Sequence, residues 1–252
     1  MRRGGRSPLT TLTTATTTAT TPATERFDVR PYTPHCQVIH AAGDHALIGI
    51  SPGNSYFSAQ RVLDLGLWGS ENFREVDILY TDLYVAEMYE AFGYDPIDAQ
   101  RKAVKNLRGV RAKVNNAAAA IDPGGGRIRA RALSEFTDNE EYRRIHTRIL
   151  RLLDSDDEFR RVCEGLAAHF LSTKSDSPGT QRQRTACLDY ICAEAPLFLD
   201  TPAIFGVPSS LNCYHQLLPM AELLYSRGAG LRASRNQGHA IITPAEGAPD
   251  VR

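Results

Sequence analysis

The stretch HALIGISPGNSYFS, residues 45–58, passes directly from an apolar run into a turn. The run 46–50 is short and bounded by turn residues, which predicts a buried β-strand. Residues 60–68 then favour a helix. Ser51 therefore lies where a strand ends and a helix approaches, and open α/β sheets bind their ligands at that edge. A hydroxyl on such a turn is a candidate nucleophile, and a helix cap or turn residue is the structural alternative.

Strand-like and helix-like runs alternate over the rest of the chain. The predicted strands are 46–50, 76–80, 127–133, 203–207 and 239–243. The predicted helices are 60–67, 85–92, 96–120, 139–153, 156–171, 183–193 and 218–226. Strands separated by helices need crossover connections, so the sequence predicts an α/β fold with a mostly parallel sheet. Several helices in a row between residues 137 and 194 indicate an added helical layer beside the sheet.

Composition favours one domain between two tails. The chain has 252 residues, no net charge and 42% hydrophobic residues, which is enough for one large core. Residues 9–24 are nearly all Thr and Ala without a hydrophobic period, so residues 1–25 are predicted to be a disordered tail. Residues 245–252 are interpreted as a second flexible tail. The expected domain spans residues 26–244.

Several classes of protein are disfavoured by what the sequence lacks. It contains no run near the roughly 18 apolar residues of a membrane span, and no GxGxxG or GxxxxGK[ST] phosphate loop. The five cysteines form no CxxC pair, which is typical of reduced core residues in a cytoplasmic protein. His35, His40 and His45 are spaced by five, which suits neither a helical nor a hairpin metal site. We therefore expect no membrane contact, no metal and no cofactor.

Positive charge is concentrated in one predicted helix. Residues 100–121 contain no acid and six cations, which are Arg101, Lys102, Lys105, Arg108, Arg111 and Lys113. On a helix, four of them (Arg101, Lys105, Arg108 and Arg111) share one face. The face opposite is predicted to be apolar and to include Val104 and Val110. A row of cations without acids favours contact with nucleic-acid phosphates, and an ordinary solvated face is the alternative.

Two further segments carry candidate proton-handling groups. Tyr190 and Glu194 are four apart, so on a helix they share a face. Glu194 lies in an apolar run, where an unpaired carboxylate is costly. It is interpreted either as a clamp for an ammonium group or as a helix-end residue turned to water, with Pro196 ending or kinking the helix nearby. Tyr214 and His215 follow a predicted strand and are either a proton relay or core residues.

The motif Gly49-Ile50-Ser51-Pro52-Gly53 also matches GxSxG, the nucleophile elbow of α/β hydrolases. His215 or His239 could complete a serine esterase triad in the correct chain order. In that fold, however, several strands and an oxyanion loop precede the nucleophile. Fewer than thirty structured residues precede Ser51 here, so the hydrolase hypothesis is disfavoured.

Three long blocks together resemble the cyclodipeptide synthase family over about residues 27–244. They are HALIGISPGNSYFS from residue 45, DYICAEAPLFLDTP from residue 189 and GVPSSLNCYHQ from residue 206. The resemblance implies a Rossmann-type domain with helices on both faces, similar to the catalytic domains of class I tyrosyl- and tryptophanyl-tRNA synthetases. It also implies two aminoacyl-tRNA substrates, with no ATP and no metal. The chain lacks HIGH and KMSKS motifs, which agrees with an enzyme that does not activate amino acids itself.

The resemblance also implies roles for individual residues. Ser51 matches the nucleophile that accepts the aminoacyl group, Tyr190 and Glu194 match the pair that holds its amine, and Tyr214 matches a residue that assists ring closure. The matching pocket positions are Leu47, Gly49, Asn54, Leu133 and Tyr142. The helix with the six cations matches the helix that contacts tRNA.

The choice of amino acid and partners is implied by the same resemblance. The segments KAVKNLRGVRAK, LGLWG and GLRASRNQGHAI are most similar to a family member that uses tyrosine, so a cyclic dityrosine is the expected product. A homodimer and a tailoring oxidase that acts on the product are also implied. A non-catalytic tRNA- or RNA-binding module is the alternative to an enzyme.

Overall fold

The computed structural model describes residues 26–173, 179–228 and 230–245. The two predicted tails lie outside these residues, except for Ala245, whose backbone N–H donates to the carbonyl of Arg26 at 2.9 Å. Within the described ranges, no helix combines the length and hydropathy of a transmembrane segment. All five cysteines are buried and free, as expected.

The strands form one six-stranded sheet within the described part of the chain. They are β1 (Phe27–Pro31), β2 (His45–Ile50), β3 (Glu75–Tyr80), β4 (Ile128–Ala132), β5 (Ser210–Tyr214) and β6 (Gln237–Pro244). Their order is β1-β6-β5-β2-β3-β4, and every pair is parallel except β1 with β6. The chain moves from β2 to β3 and β4 on one side, then returns to the other side of β2 with β5. The order of strands therefore reverses between β2 and β5, and ligands bind at such a switch point.

Helices cover both faces of this sheet. They are α1 (Pro34–Ala42), α2 (Ala59–Asn72), α3 (Val85–Ala91), α4 (Pro96–Ile121), α5 (Glu140–Ser155), α6 (Asp157–Ser172), α7 (Gln181–Phe205) and α8 (Pro219–Ser226), with a 3-10 helix at Leu133–Phe136. Ile48 of β2 packs in a core with residues of α2 and α4. Leu47, its neighbour in sequence, points to the other face and packs in a second core with residues of α5 to α8. The predicted α/β class, with a mostly parallel sheet and an added helical layer, is confirmed.

One predicted strand is wrong. Residues 203–207 do not form a strand, because α7 continues to Phe205 and ends at Gly206, whose φ of +69° caps the helix. The strand comes four residues later, as β5. A short apolar run does not distinguish a strand from a buried helix end by periodicity, and Ile204 is such a buried helix residue.

The helix break expected at Pro196 is also misplaced. Helix α7 runs through Pro196, and its backbone departs from helical geometry at Asp200 instead. The backbone carbonyl and N–H groups that lose their helical partners there form hydrogen bonds with side chains instead. The carbonyl of Leu197 accepts from the Thr201 hydroxyl at 2.6 Å and from the Asn212 amide at 2.8 Å. The Thr201 N–H donates to the Gln237 side chain at 2.7 Å, so the break costs no buried hydrogen bond.

The first strand and helix, β1 and α1, were not predicted. Helix α1 nevertheless carries its signals: the Thr33 hydroxyl accepts from the N–H of Cys36, Pro34 occupies the first turn, and Gly43 with φ +63° ends the helix. Strand β1 is a five-residue edge strand, antiparallel to β6, and its short alternating pattern is weak in sequence.

Candidate active site

The turn after β2 places Ser51 at the carboxyl end of the sheet. The Asn54 N–H donates to the Ser51 carbonyl at 3.2 Å, with Pro52 and Gly53 as the central residues. Gly53 has φ +77°, which completes a type II turn and favours glycine at this position. The Asn54 side chain accepts from the N–H of Tyr56 at 3.0 Å and extends the turn toward α2.

Strand β5 brings Tyr214 against this turn. The Ser51 Oγ and the Tyr214 Oη are 2.9 Å apart, although the two residues are 163 positions apart in sequence. Burial raises the pKa of Tyr214, and the hydrogen bond with Ser51 opposes that rise. The phenol therefore stays protonated near neutral pH and can exchange protons with the serine hydroxyl. Gly49 lies beneath the pair, where an added Cβ would touch the Tyr214 ring at 3.8 Å.

Helix α7 brings a carboxyl group to the same edge. The hydroxyl of Thr81, which follows β3, donates to Glu194. The Tyr190 phenol interacts with both Thr81 and Glu194, as the four-residue spacing on α7 predicts. Burial raises the pKa of Glu194, and the hydrogen bonds from Thr81 and Tyr190 offset only part of this rise. No Lys or Arg of the described residues forms an ion pair with Glu194, so this carboxyl is available to a cationic ligand.

Except for Tyr190, which is not part of the lining, these groups surround one cavity of about 540 Å³, including its open mouth, at the carboxyl edge of β2, β3 and β5. Its polar lining comprises Ser51, Thr81, Glu194, Asn212, Tyr214 and His239. The rest of the lining is Leu47, Gly49, Ile50, Leu79, Leu197, Phe198, Cys213 and Leu218. Reactive groups at the rim and a mostly apolar interior suit a ligand that has both a charged head and a largely apolar side chain.

Sequence reasoning missed several lining residues. Thr81 directly follows a correctly predicted strand, so its position was a usable signal. Asn212 was missed as a lining residue because the strand that carries it was predicted too early. His239 was considered only as a triad member, and its role in the lining depends on which strands lie side by side.

Three predicted pocket residues are not part of the lining. The Tyr142 hydroxyl donates to the carbonyl of Ala193 at 2.8 Å, so it anchors α7 next to Glu194. Leu133 is fully buried in the same core as Leu47. Asn54 shapes the turn after Ser51. Direct contact of these three with a substrate stays a prediction.

The arrangement does not support a serine esterase. In the described residues, the partner of the Ser51 hydroxyl is a phenol and not an imidazole. The His215 ring approaches the Asn54 amide at 3.4 Å and stacks on Tyr56. Burial lowers the pKa of His215.

A serine–histidine–aspartate chain does exist, but at the opposite edge of the sheet. His45 lies 2.7 Å from the Ser210 hydroxyl and 3.0 Å from Asp77. All three residues are essentially inaccessible to solvent, and Asp77 also accepts from Arg129. These three residues form a buried structural network, because none of them lines the cavity at the carboxyl edge.

Helix α4 presents five of the six cations to solvent, namely Arg101, Lys102, Lys105, Arg108 and Arg111. Arg101 pairs with Asp98 at 3.3 Å, and the Lys102 ammonium lies 4.2 Å from the centre of the Tyr94 ring. The sixth cation, Lys113, is half-buried and donates to the carbonyl of Phe57 at 2.9 Å.

The prediction that Val104 packs inward is wrong. Val104 is 46% exposed, because its position three residues after Arg101 and four before Arg108 places it on their outward face. The inward face of α4 consists of Ala99, Ala103, Val110, Val114, Ala117 and Ala118.

Known proteins are similar to this chain over all of its described strands and helices. Residues 27–244 match the family model described as cyclodipeptide synthase. A cyclo(L-tyrosyl-L-tyrosyl) synthase of Mycobacterium tuberculosis is 61% identical over 229 residues, which cover 90% of this chain and 79% of that protein. A cyclo(L-leucyl-L-phenylalanyl) synthase of Streptomyces noursei is 36% identical over 212 residues, covering 83% and 89%.

A solved structure shows the same similarity in three dimensions. It is a Mycobacterium tuberculosis protein described as demonstrating that cyclodipeptide synthetases are related to type I tRNA synthetases. The two chains are 62% identical and superpose with a TM-score of 0.82, over 88% of this chain and 94% of the other.

Proposed function

The chain belongs to the cyclodipeptide synthase family, and from this premise we propose that it converts two molecules of tyrosyl-tRNA into cyclo(L-tyrosyl-L-tyrosyl). The observation that carries the proposal is the hydrogen bond between Ser51 and Tyr214 at the mouth of a cavity that also contains Glu194. The choice of tyrosine is supported by the 61% identity to the synthase of Mycobacterium tuberculosis that bears this name.

The first step is transfer of an aminoacyl group to Ser51. The Oγ atom attacks the ester carbonyl of the first aminoacyl-tRNA, and the bond to the ribose oxygen breaks. The serine proton passes to that ribose oxygen, and the Tyr214 hydroxyl is placed to accept it and donate its own. One ester replaces another, so the protein supplies position and proton transfer and needs no separate activation of the amino acid.

The second step builds the ring on the same serine. The amine of the bound residue, held as a cation by Glu194, gives one proton to that carboxylate and attacks the ester carbonyl of the second aminoacyl-tRNA. An amide bond forms, the bond to the ribose oxygen breaks, and that oxygen takes the second proton of the amine. The amine of the new residue then attacks the Ser51 ester, which closes the diketopiperazine and restores the hydroxyl. Two ester bonds to tRNA are broken and two amide bonds are formed. A dimeric state and an oxidase that acts on the product stay predictions.

Expression in a heterologous host tests the proposal directly. We expect cyclo(L-tyrosyl-L-tyrosyl) in the culture medium by mass spectrometry, and none from a Ser51→Ala variant expressed at the same level. A different cyclic dipeptide would overturn the assignment of tyrosine. Absence of any cyclic dipeptide, with folded protein present, would overturn the catalytic proposal and favour the RNA-binding alternative.

We further propose that α4 contacts the phosphates of tRNA. The triple variant Lys105→Gln, Arg108→Gln and Arg111→Gln is expected to weaken tRNA binding by about 10- to 100-fold at low salt, because three exposed phosphate partners are lost. The slope of log affinity against log salt should become shallower by about 2 to 3. Filter binding at several salt concentrations measures both quantities.

A matched control makes the same change of charge on another helix. Arg143, Arg148 and Arg151 are exposed on α5, and changing all three to Gln also removes three positive charges. This control should retain most of the affinity and the salt slope. Equal losses in the two triple variants would show that overall charge, and not α4, governs binding.

A further inference from the structure

His239 is the lining residue whose polar atoms lack a partner. Its imidazole is fully buried, and neither ring nitrogen has a hydrogen-bond partner within the described residues. The other polar side chains of the lining are engaged: Ser51 with Tyr214, Thr81 with Glu194, and Asn212 with Leu197 and Thr201. Buried polar groups in folded proteins are almost always paired, so an unpaired imidazole that lines a cavity is free to form a hydrogen bond with a polar group of a ligand.

The position of His239 corresponds to the inner end of the cavity. His239 on β6 is in register with Asn212 on β5, which is in register with Leu47 on β2. Ser51 follows Leu47 by four residues, which is about 13 Å along the strands at about 3.3 Å per residue, and β6 lies two strands away from β2, about 10 Å to the side. The two backbones are therefore about 16 Å apart, which is comparable to the combined length of an extended tyrosyl ester on Ser51, one hydrogen bond and the His239 side chain. A tyrosyl group on Ser51 can therefore direct its ring inward and its hydroxyl toward His239.

The chemistry of the inner end also suits a phenol. Burial lowers the pKa of His239 to about 4, so the imidazole is neutral at neutral pH and offers one N–H donor and one nitrogen acceptor. A phenol hydroxyl is likewise one donor and one acceptor. The ring of Phe198 lies 6.4 Å from the imidazole, and Leu47, Leu79 and Leu197 complete an apolar wall that suits an aromatic ring.

We propose that His239 forms a hydrogen bond with the phenol hydroxyl of the tyrosyl group on Ser51 and thereby selects tyrosine over phenylalanine. The inference rests on the proposed function. A cavity that only fits the shape of an aromatic ring discriminates weakly against a missing hydroxyl. A site that leaves a buried polar group unpaired rejects the smaller ligand strongly.

The test compares two amino acids on one tRNA. A single tRNA sequence is charged with either tyrosine or phenylalanine, and the rate of labelling of the protein is measured for each. Wild type should prefer tyrosine. His239→Phe, which keeps an aromatic ring without a hydrogen-bonding group, should reduce the tyrosine-to-phenylalanine ratio by about 10- to 100-fold, mainly through a loss with tyrosine. His239→Gln, which keeps a donor and an acceptor, should retain most of the ratio.

Controls separate this role from a structural one. Tyr225→Phe removes another buried hydroxyl. The Tyr225 ring lies 6.3 Å from the His239 ring but is not part of the cavity lining, so this variant should leave the tyrosine-to-phenylalanine ratio unchanged. His239→Leu provides the same readout if the Phe variant does not fold. An unchanged ratio in the apolar variants, or equal losses with both amino acids, would overturn the inference. Absence of labelling in wild type with either amino acid would instead overturn the proposed function.

Discussion

Ser51→Ala is expected to abolish covalent labelling of the protein by radioactive tyrosyl-tRNA and to reduce the rate of product formation on the order of 10³-fold or more. The change removes the atom that receives the aminoacyl group; the hydroxyl that was its partner belongs to Tyr214, and the Thr81 hydroxyl of the same lining donates to Glu194. Burial raises the pKa of that phenol, so it stays protonated and is a poor nucleophile. Denaturing gel electrophoresis followed by autoradiography measures the label, and mass spectrometry identifies the modified peptide.

Ser55→Ala is the matched control, because Ser55 is an exposed serine in the same loop. It should label and turn over as wild type does. The melting temperature of Ser51→Ala should also stay within a few degrees of wild type, since Ser51 is only half-buried and the partner of its side-chain hydrogen bond, the half-buried Tyr214 hydroxyl, can bind solvent instead. Retained label in Ser51→Ala, or label on a different residue of wild type, would refute the assignment of the nucleophile.

Much of the fold could be predicted because local patterns and packing agree. The strands β2, β3 and β6 contain apolar runs, β4 alternates apolar residues with arginines, and α4 and α5 have a clear helical period. The failures occur where local signals conflict with the tertiary structure. Pro196 signals the end of a helix, yet buried residues on both sides, such as Ala195 and Leu197, keep α7 on the core beyond it. The real break at Asp200 depends on side chains of Asn212 and Gln237, which lie far away in sequence.

The residues of the candidate site divide in the same way, into those that local sequence identifies and those that only the tertiary structure identifies. Ser51 and Glu194 were identified as candidates from their local surroundings, although each retained a structural alternative until the family resemblance was considered. Thr81, Asn212 and His239 lie on or directly after three different strands, and they meet because the strand order reverses between β2 and β5. No local pattern encodes that order, because sequence periodicity describes elements and not their neighbours. The residues that line the interior of the cavity are therefore the ones that required the structure.

Glu194→Gln is expected to reduce product formation by about 10²- to 10³-fold while leaving the protein folded. The amide can still accept a hydrogen bond from Thr81, so the local geometry is retained. It carries no charge, however, and cannot hold the substrate amine as a cation or take its proton. Kinetic assays with purified protein and tyrosyl-tRNA measure the loss, and thermal unfolding measures stability.

Stability should change in the opposite direction from activity. Burial raises the pKa of Glu194, so the folded state binds a proton more tightly than the unfolded state does. The cost of the buried charge is absent below the ordinary glutamate pKa, grows as pH rises from that value to the raised pKa of the folded state, and is constant above it. Glu194→Gln removes this cost. The free energy of unfolding of the variant should therefore increase relative to that of wild type as pH rises from about 4 toward neutrality. Glu164→Gln, the same change at an exposed position of α6, should alter neither property. A Glu194→Gln protein that turns over at the wild-type rate, or that loses activity because it unfolds, would contradict the role of this carboxylate as the holder of the substrate amine.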